Sequence, residues 1–202
     1  MSNIDIPEIQ KACEQALRDG HPPLEIVEAM FEGMQLVGSK FNEGEYFLPE
    51  LIVAGEAMAE QLKFLEPYMT KTAESNIGTV VLGTVEGDLH SIGKDIFGMF
   101  MKASGFRVID LGVDVSAEKF VEAVQTYKPA IVAMSALLTI SMPEMETVIS
   151  RLVKNGLRDQ IKIIVGGAPL SIEYSNKIGA DAFGPNAIAG VSICKEWMER
   201  SD

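Results

Sequence analysis

The chain contains two histidines, and one of them, His90, follows an aspartate by two residues in Glu86-Gly87-Asp88-Leu89-His90-Ser91-Ile92-Gly93-Lys94. A carboxylate beside an imidazole fixes the tautomer and raises the basicity of the other ring nitrogen, which is the usual surrounding of a metal-binding histidine. The second histidine, His21, sits in the Pro-rich turn His21-Pro22-Pro23. A loop histidine taken alone is more often a surface or hydrogen-bonded residue than a ligand. Three features favour the ligand here: a preceding apolar β-branched run, the neighbouring Asp88, and Gly93, which permits close backbone approach where the next helix begins. No zinc site can be assembled, because there is no C-x-x-C, no second histidine nearby and no ligand pair at helical spacing. A metal held by one protein ligand takes its other ligands from a macrocycle, so haem or a corrin is implied.

The glycines around this loop fall at 83, 87, 93 and 98, which does not match the G-x-G-x-x-G phosphate loop and removes support for a dinucleotide. Two further apolar runs end in small or hydroxyl residues: Ser135-Ala136-Leu137-Leu138-Thr139-Ile140-Ser141, and Gly166-Gly167-Ala168-Pro169. Singly these are unremarkable, since a glycine pair makes ordinary tight turns and a serine caps helices. Together they place hydroxyls and bare backbone after successive strands.

Those strands must position the candidates. TVVLGTV, FRVIDLG, AIVAMSA, KIIVGG and ADAFG are short apolar runs separated by helical segments, the pattern of a parallel sheet covered on both faces. A doubly wound α/β domain over residues 76–202 follows, with ligands expected beyond the carboxyl ends of its strands. Residues 1–75 read differently. PEIQKACEQALRDG carries an apolar stripe and stops at Gly20; LEIVEAMFEGMQLVGSKF follows Pro22-Pro23 and is broken by Phe41-Asn42-Glu43-Gly44; a third helix starts near Leu48-Pro49, with small residues at Ala54, Gly55, Ala57 and Ala59. The sequence predicts a small helical bundle, joined to the α/β domain by the polar, aperiodic stretch 70–78 with a boundary near residue 75.

Composition narrows the partners. With 29 acidic against 17 basic residues, net charge −12, the surface should repel phosphate backbones and anionic lipid, so neither nucleic acid nor membrane is an expected partner. The amino terminus shows no signal peptide and no stretch suits a bilayer span, so a cytoplasmic location is expected. Cys13 and Cys194 stand in amphipathic contexts and read as reduced, half-buried thiols.

Asp88-x-His90-x-x-Gly93, then Ser135-x-Leu137, then Gly166-Gly167, in this order on successive strand ends, resemble the signature of cobalamin domains that bind with the benzimidazole displaced and a histidine on cobalt. The helical third, especially Phe41-Asn42-Glu43-Gly44-Glu45-Tyr46-Phe47-Leu48-Pro49-Glu50-Leu51, resembles the cap of cobalamin-dependent methyltransferases. Nearly the whole chain is thus similar to the corrinoid proteins of anaerobic methyl-transfer systems and to the cobalamin module of methionine synthase. The resemblance implies a flavodoxin-like, Rossmann-type cobalamin domain behind a helical cap, with cobalt as the metal. His90 would be the metal ligand, Asp88 would accept from its other nitrogen and Ser141 would extend that relay. Gly87, Leu89, Ser91, Ile92, Gly93, Ser135, Leu137, Thr139, Gly166 and Gly167 would contact the cofactor, with Ser135, Leu137, Gly166 and Gly167 lining the slot for the displaced tail. Phe41, Leu48 and Leu51 would cover its upper face. By the same resemblance the protein accepts a methyl group on cobalt(I) from a substrate-specific methyltransferase and passes it from methylcobalt(III) to a second, methyl-accepting one, with an ATP-dependent reductive activase restoring the cofactor. Ile140-Ser141-Met142 departs from the hydroxyl-rich stretch often found there, which weakens the relay role of Ser141 relative to Asp88.

Three other readings compete. A cobalamin-based sensor would need a DNA-binding helix-turn-helix and a basic face, which this acidic chain lacks. A mutase cobalamin domain would lack residues 1–70. A phosphorylation receiver needs an acid at the end of the third strand, where Ser135 stands.

Overall fold

The computed structural model describes residues 4–69 and 77–199, which form two compact units. The segment 70–76 of the expected linker, and the boundary at residue 75 within it, lie outside the described residues.

The first unit is three helices: α1 (Ile6–Arg18), α2 (Pro23–Asn42) and α3 (Leu48–Met69). Asp5 begins α1 by accepting the amide of Glu8 at 3.1 Å, and Glu50 reaches back from the first turn of α3 to accept the amide of Phe47 at 3.0 Å. Each carboxylate satisfies an amide that the helix leaves unpaired at its start. Gly44, at φ +78°, closes the turn after α2. The core gathers Cys13, Ile26, Val27, Met58, Leu62 and Leu65, with Ala54 and Ala57 buried where α3 meets its neighbours. Phe41 belongs to the last turn of α2 and Leu48 opens α3, so both sit on helices flanking the turn rather than within it.

The second unit alternates β1 (Thr79–Thr84), α4 (Ile92–Ala103), β2 (Arg107–Asp110), α5 (Ala117–Tyr127), β3 (Ile131–Ser135), α6 (Met142–Lys154), β4 (Lys162–Gly166), α7 (Ile172–Ile178), β5 (Ala182–Gly184) and α8 (Ala187–Glu199). All five strands are parallel, in the order β2-β1-β3-β4-β5. This is the flavodoxin-like doubly wound sheet expected from the five apolar runs. Strand alternation sends Val81, Val132, Met134, Ile163 and Val165 toward α5 and α6, where Phe120, Val124, Met145, Val148 and Leu152 meet them. Val80, Leu82, Ile131, Ala133 and Ile164 are buried on the alternate face. At Gly83 a Cβ would fall 2.9 Å from the Phe120 ring, so glycine is what lets α5 lie against β1.

Chain order reverses between β1 and β3, so the loops after these two strands leave in opposite directions and open a crevice at the carboxyl rim. Cys13 and Cys194 are free and more deeply buried than expected, and burial pushes the Cys194 thiol up to about 12. Among the described residues no helix is long and apolar enough to cross a membrane.

Candidate functional site

Asp88 is fully buried (0% exposed) at the mouth of this crevice, and both of its carboxylate oxygens are occupied. Oδ1 accepts the amide of His90 at 3.1 Å and lies 2.7 Å from Nδ1 of the same residue. Oδ2 accepts the amides of Leu137 at 2.7 Å and Leu138 at 3.0 Å, in the loop after β3. Ser141 Oγ lies 3.0 Å from Oδ2 and 2.9 Å from the carbonyl of Leu138, so its single proton serves one of them at a time. Burial by itself would raise the pKa of this carboxyl, yet the hydrogen bonds from Leu138, His90 and Leu137 outweigh it and hold the group well below the usual carboxylate range. Asp88 is therefore ionised and can only accept, which assigns the proton of neutral His90 to Nδ1 and leaves Nε2 with its lone pair.

The loop carrying these groups is pinned from the other side. Thr84, buried at the end of β1, donates from Oγ1 to the carbonyl of His90 at 3.0 Å. Asp114, in the loop after β2, accepts the amide of Gly87 at 2.7 Å and donates its own amide to the carbonyl of Asp88 at 3.0 Å. Asp114 holds φ +52°, a left-handed conformation uncommon outside glycine, asparagine and aspartate, and Gly87 turns at φ +78°. The His90 side chain stays 52% exposed. In the same loop and in the loop after β3, Leu89 (72%), Ile140 (82%), Leu137 and Leu138 present apolar surface to solvent. An exposed apolar collar around an outward-facing imidazole is costly to leave wet and suits a large flat ligand.

Strand register sets Thr84, Ser135, Gly166 and Gly184 side by side across the carboxyl ends of β1, β3, β4 and β5. The sequence-derived residues Gly87 through Gly93, Ser135, Leu137, Thr139, Ser141, Gly166 and Gly167 thus fall on one rim. Thr139 is exposed there. Ser91 and Ser141 precede α4 and α6 without capping them through their side chains. At Gly93 an added Cβ would meet nothing within 4 Å, so the close approach expected of it is not to protein. Phe41, Leu48 and Leu51 belong to the helical unit, where Phe41 and Leu48 are exposed and Leu51 is partly buried. Thr84, Asp114, Leu138 and Gly184 were not singled out from sequence. A hydroxyl closing an otherwise apolar strand was the available signal for Thr84; Asp114 and the Leu138 amide act through backbone geometry that residue types do not announce.

Gly167 has an internal reason to be glycine. At φ +137° its Cβ would lie 1.8 Å from the Ala136 carbonyl oxygen, while at Gly166 the nearest contact would be 3.3 Å, to the Gly184 oxygen. Gly167→Ala is therefore expected to destabilise the cofactor-free protein by about 3 kcal/mol. Urea unfolding followed at Trp197, the single tryptophan, which lies in α8, checks this for the second unit. Gly166→Ala should change the same midpoint far less, and equal losses would contradict the geometry.

Comparison with known proteins bears on what occupies the rim. A B12 binding domain family matches residues 78–192, and a second family of the same description matches residues 1–66. The trimethylamine corrinoid protein of Methanosarcina barkeri is 42% identical over 198 residues, covering 96% of this chain and 91% of that protein. The chain belongs to the B12-binding corrinoid proteins. This corrinoid protein is also similar to the solved structure of the Methanosarcina barkeri monomethylamine corrinoid protein, at 36% identity and a TM-score of 0.88, over 93% of this chain and 89% of that one. A further match is to the methanol:cobalamin methyltransferase complex of Methanosarcina barkeri, at 28% identity and a TM-score of 0.60, over 96% of this chain and 75% of that one.

The cofactor of the family is a corrinoid, and the site fits one. No group of three or more His, Cys, Asp or Glu among the described residues could hold a metal ion, so a metal here must bring most of its own ligands. The half-exposed His90 offers one nitrogen, the apolar collar offers a flat ligand its surface, and the row of small residues at the strand ends leaves backbone open beside it.

Proposed function

We propose that this corrinoid protein is a methyl carrier in which Nε2 of His90 is the one protein ligand to cobalt. The observation that carries the reading is the fully buried, fully bonded Asp88 carboxylate on Nδ1, which leaves Nε2 as the basic nitrogen facing out. When bound, the corrinoid supplies a cobalt centre that takes up and gives away a methyl group. The chain's own groups manage the imidazole. Asp88 holds the Nδ1 proton in place and orients the ring, whether or not Nε2 is engaged. The Leu137 and Leu138 amides and the Ser141 hydroxyl stabilise the carboxylate charge, so the proton does not pass from Nδ1 to Asp88. Leu89 and Ile140 would give the bound corrinoid apolar surface, while Gly87, Ser91, Ile92, Gly93, Ser135, Leu137, Thr139, Gly166 and Gly167 would complete the contact surface.

The methylamine corrinoid proteins among the relatives favour methylated amines as the methyl source. Partners are then a methylamine-specific methyltransferase, a second methyltransferase that accepts the group, and a reductive activase. A cytoplasmic place agrees with two free, buried cysteines. For the helical unit, residues 1–75, we propose a shielding role carried by exposed Phe41 and Leu48 together with Leu51. Replacing Phe41 and Leu48 together by alanine is expected to speed photolysis of bound methylcobalamin at equal occupancy. An unchanged rate would return these side chains to ordinary bundle surface.

The ligand assignment is tested by loading the protein with hydroxocobalamin, reducing it to cobalt(II) and recording electron paramagnetic resonance with and without nitrogen-15 histidine. Coupling that changes with the label is expected. Coupling from benzimidazole alone would exclude His90.

A further inference from the structure

Lys94 has a buried ammonium that none of the groups around His90 uses. Its side chain is 3% exposed at the third residue of α4, and Nζ donates to Asp95 Oδ1 and Asp110 Oδ2, both at 2.6 Å. A cation is poorly placed there, because the first turn of a helix carries partial positive charge. Burying it costs solvation as well, and an apolar side chain of similar length often serves stability equally well in such a position. What an apolar chain cannot supply is direction, and the two short contacts are directional.

They lead back to His90. Asp110 accepts from Lys94 on Oδ2 and from the amide of Gly112 on Oδ1 at 2.9 Å. The Gly112 carbonyl accepts the amide of Thr84 at 3.0 Å, and Thr84 donates from Oγ1 to the His90 carbonyl at 3.0 Å. Because Lys94 follows His90 by four residues on the same chain, these links close a ring through β2, β1 and the start of α4. We propose that Lys94 is a positioning residue of the corrinoid site: gripped by Asp95 and Asp110, it fixes the segment 90–94 so that His90 has one place to occupy. The inference rests on the assignment of His90 as ligand. A lone protein ligand would need a fixed seat, and these bonds hold the His90 backbone while Asp88 holds its imidazole.

Lys94→Met removes the ammonium while keeping the length of the chain, and the freed Asp95 and Asp110, both partly exposed, can turn to water. In the cofactor-free protein, amide hydrogen exchange at His90, Thr84 and Gly112 should accelerate about tenfold, with Ile164 in the middle of β4 unchanged. Asp110→Asn is the second variant, because an asparagine oxygen can still accept from Gly112 while the charge facing Lys94 is gone. It should reproduce the pattern, and the double variant should be no worse than the more severe single one. In hydroxocobalamin-loaded, reduced protein, both variants should lower severalfold the fraction of cobalt(II) coupled to protein nitrogen. Equal acceleration at Ile164, or unchanged exchange at His90 in both variants, would overturn the proposal by showing a general structural role or none. Parent protein without histidine coupling would instead defeat the ligand assignment, while the exchange pattern would still decide the clamp.

Discussion

Alanine at position 90 is expected to remove all protein-nitrogen coupling from bound cobalt(II) and to weaken corrinoid binding by more than about tenfold, with the cofactor-free protein still folded. The residue is half-exposed, and its side chain makes one contact to Asp88 in a loop outside the sheet core. Its loss costs about 1 kcal/mol of stability, since the charge-assisted bond is partly open to water. Asp88 keeps its three backbone donors and Ser141 when the imidazole is gone, so the loop does not collapse. The measurement pairs resonance spectra at equal cofactor loading with equilibrium dialysis of hydroxocobalamin. A variant that bound as tightly as the parent, with the same coupling, would show that another residue holds the metal.

Asp88 should behave in the opposite way, with a structural effect larger than that of the ligand it supports. Asp88→Ala leaves the amides of His90, Leu137 and Leu138 without their acceptor in a fully buried place and is expected to destabilise the second unit by about 3–5 kcal/mol. Asp88→Asn is the more informative change. If the amide oxygen takes the Leu137 and Leu138 side, the NH2 faces His90, whose backbone amide loses its acceptor and whose Nδ1 must accept; the imidazole proton then moves to Nε2, where it blocks the ligand nitrogen. The expected result is a folded protein that has lost histidine coupling although His90 is present. Nitrogen-15 shifts of the imidazole in the cofactor-free variant would report the tautomer directly, and an unaltered Nδ1–H tautomer with retained coupling would sink this account of Asp88.

Acid dependence has a definite sign. The folded-state pKa of Asp88 is depressed, so its contribution to stability is complete above the unfolded carboxylate value of about 4 and is lost as pH falls through the lower folded value. Asp88→Asn should flatten the loss of stability of the cofactor-free protein in acid, read at Trp197.

Much of this arrangement follows from local pattern. Four β-branched apolar runs and the short ADAFG, with helical segments between them, determine a parallel sheet, because burial on both faces makes such runs stable, and a parallel sheet places its ligand beyond the strand ends. The spacing Asp88-x-His90 puts carboxylate and imidazole within reach of one another in a tight turn, and the ties of that loop to Thr84 and Asp114 hold them there. The three helices of the first unit are likewise legible from their apolar periodicity and from breaks at Gly20 and Gly44.

What only tertiary structure decided is who completes those groups. Leu137, Leu138 and Ser141 reach Asp88 across about 50 residues, two of them through backbone amides that no residue type encodes. Gly167 is expected from sequence to be small for a bound tail, and the fold adds a reason of its own, because the Ala136 carbonyl occupies the place of its Cβ. Neither residue type announces the contact of Lys94 with Asp110; the packing of α4 on β2 brings them together and buries the ammonium. The physical reason is the same in each case. Periodicity and turn chemistry act between near neighbours and fix elements, whereas hydrogen-bond partners at a rim where five strands end are set by register and crossing loops, which depend on the packing of the whole sheet.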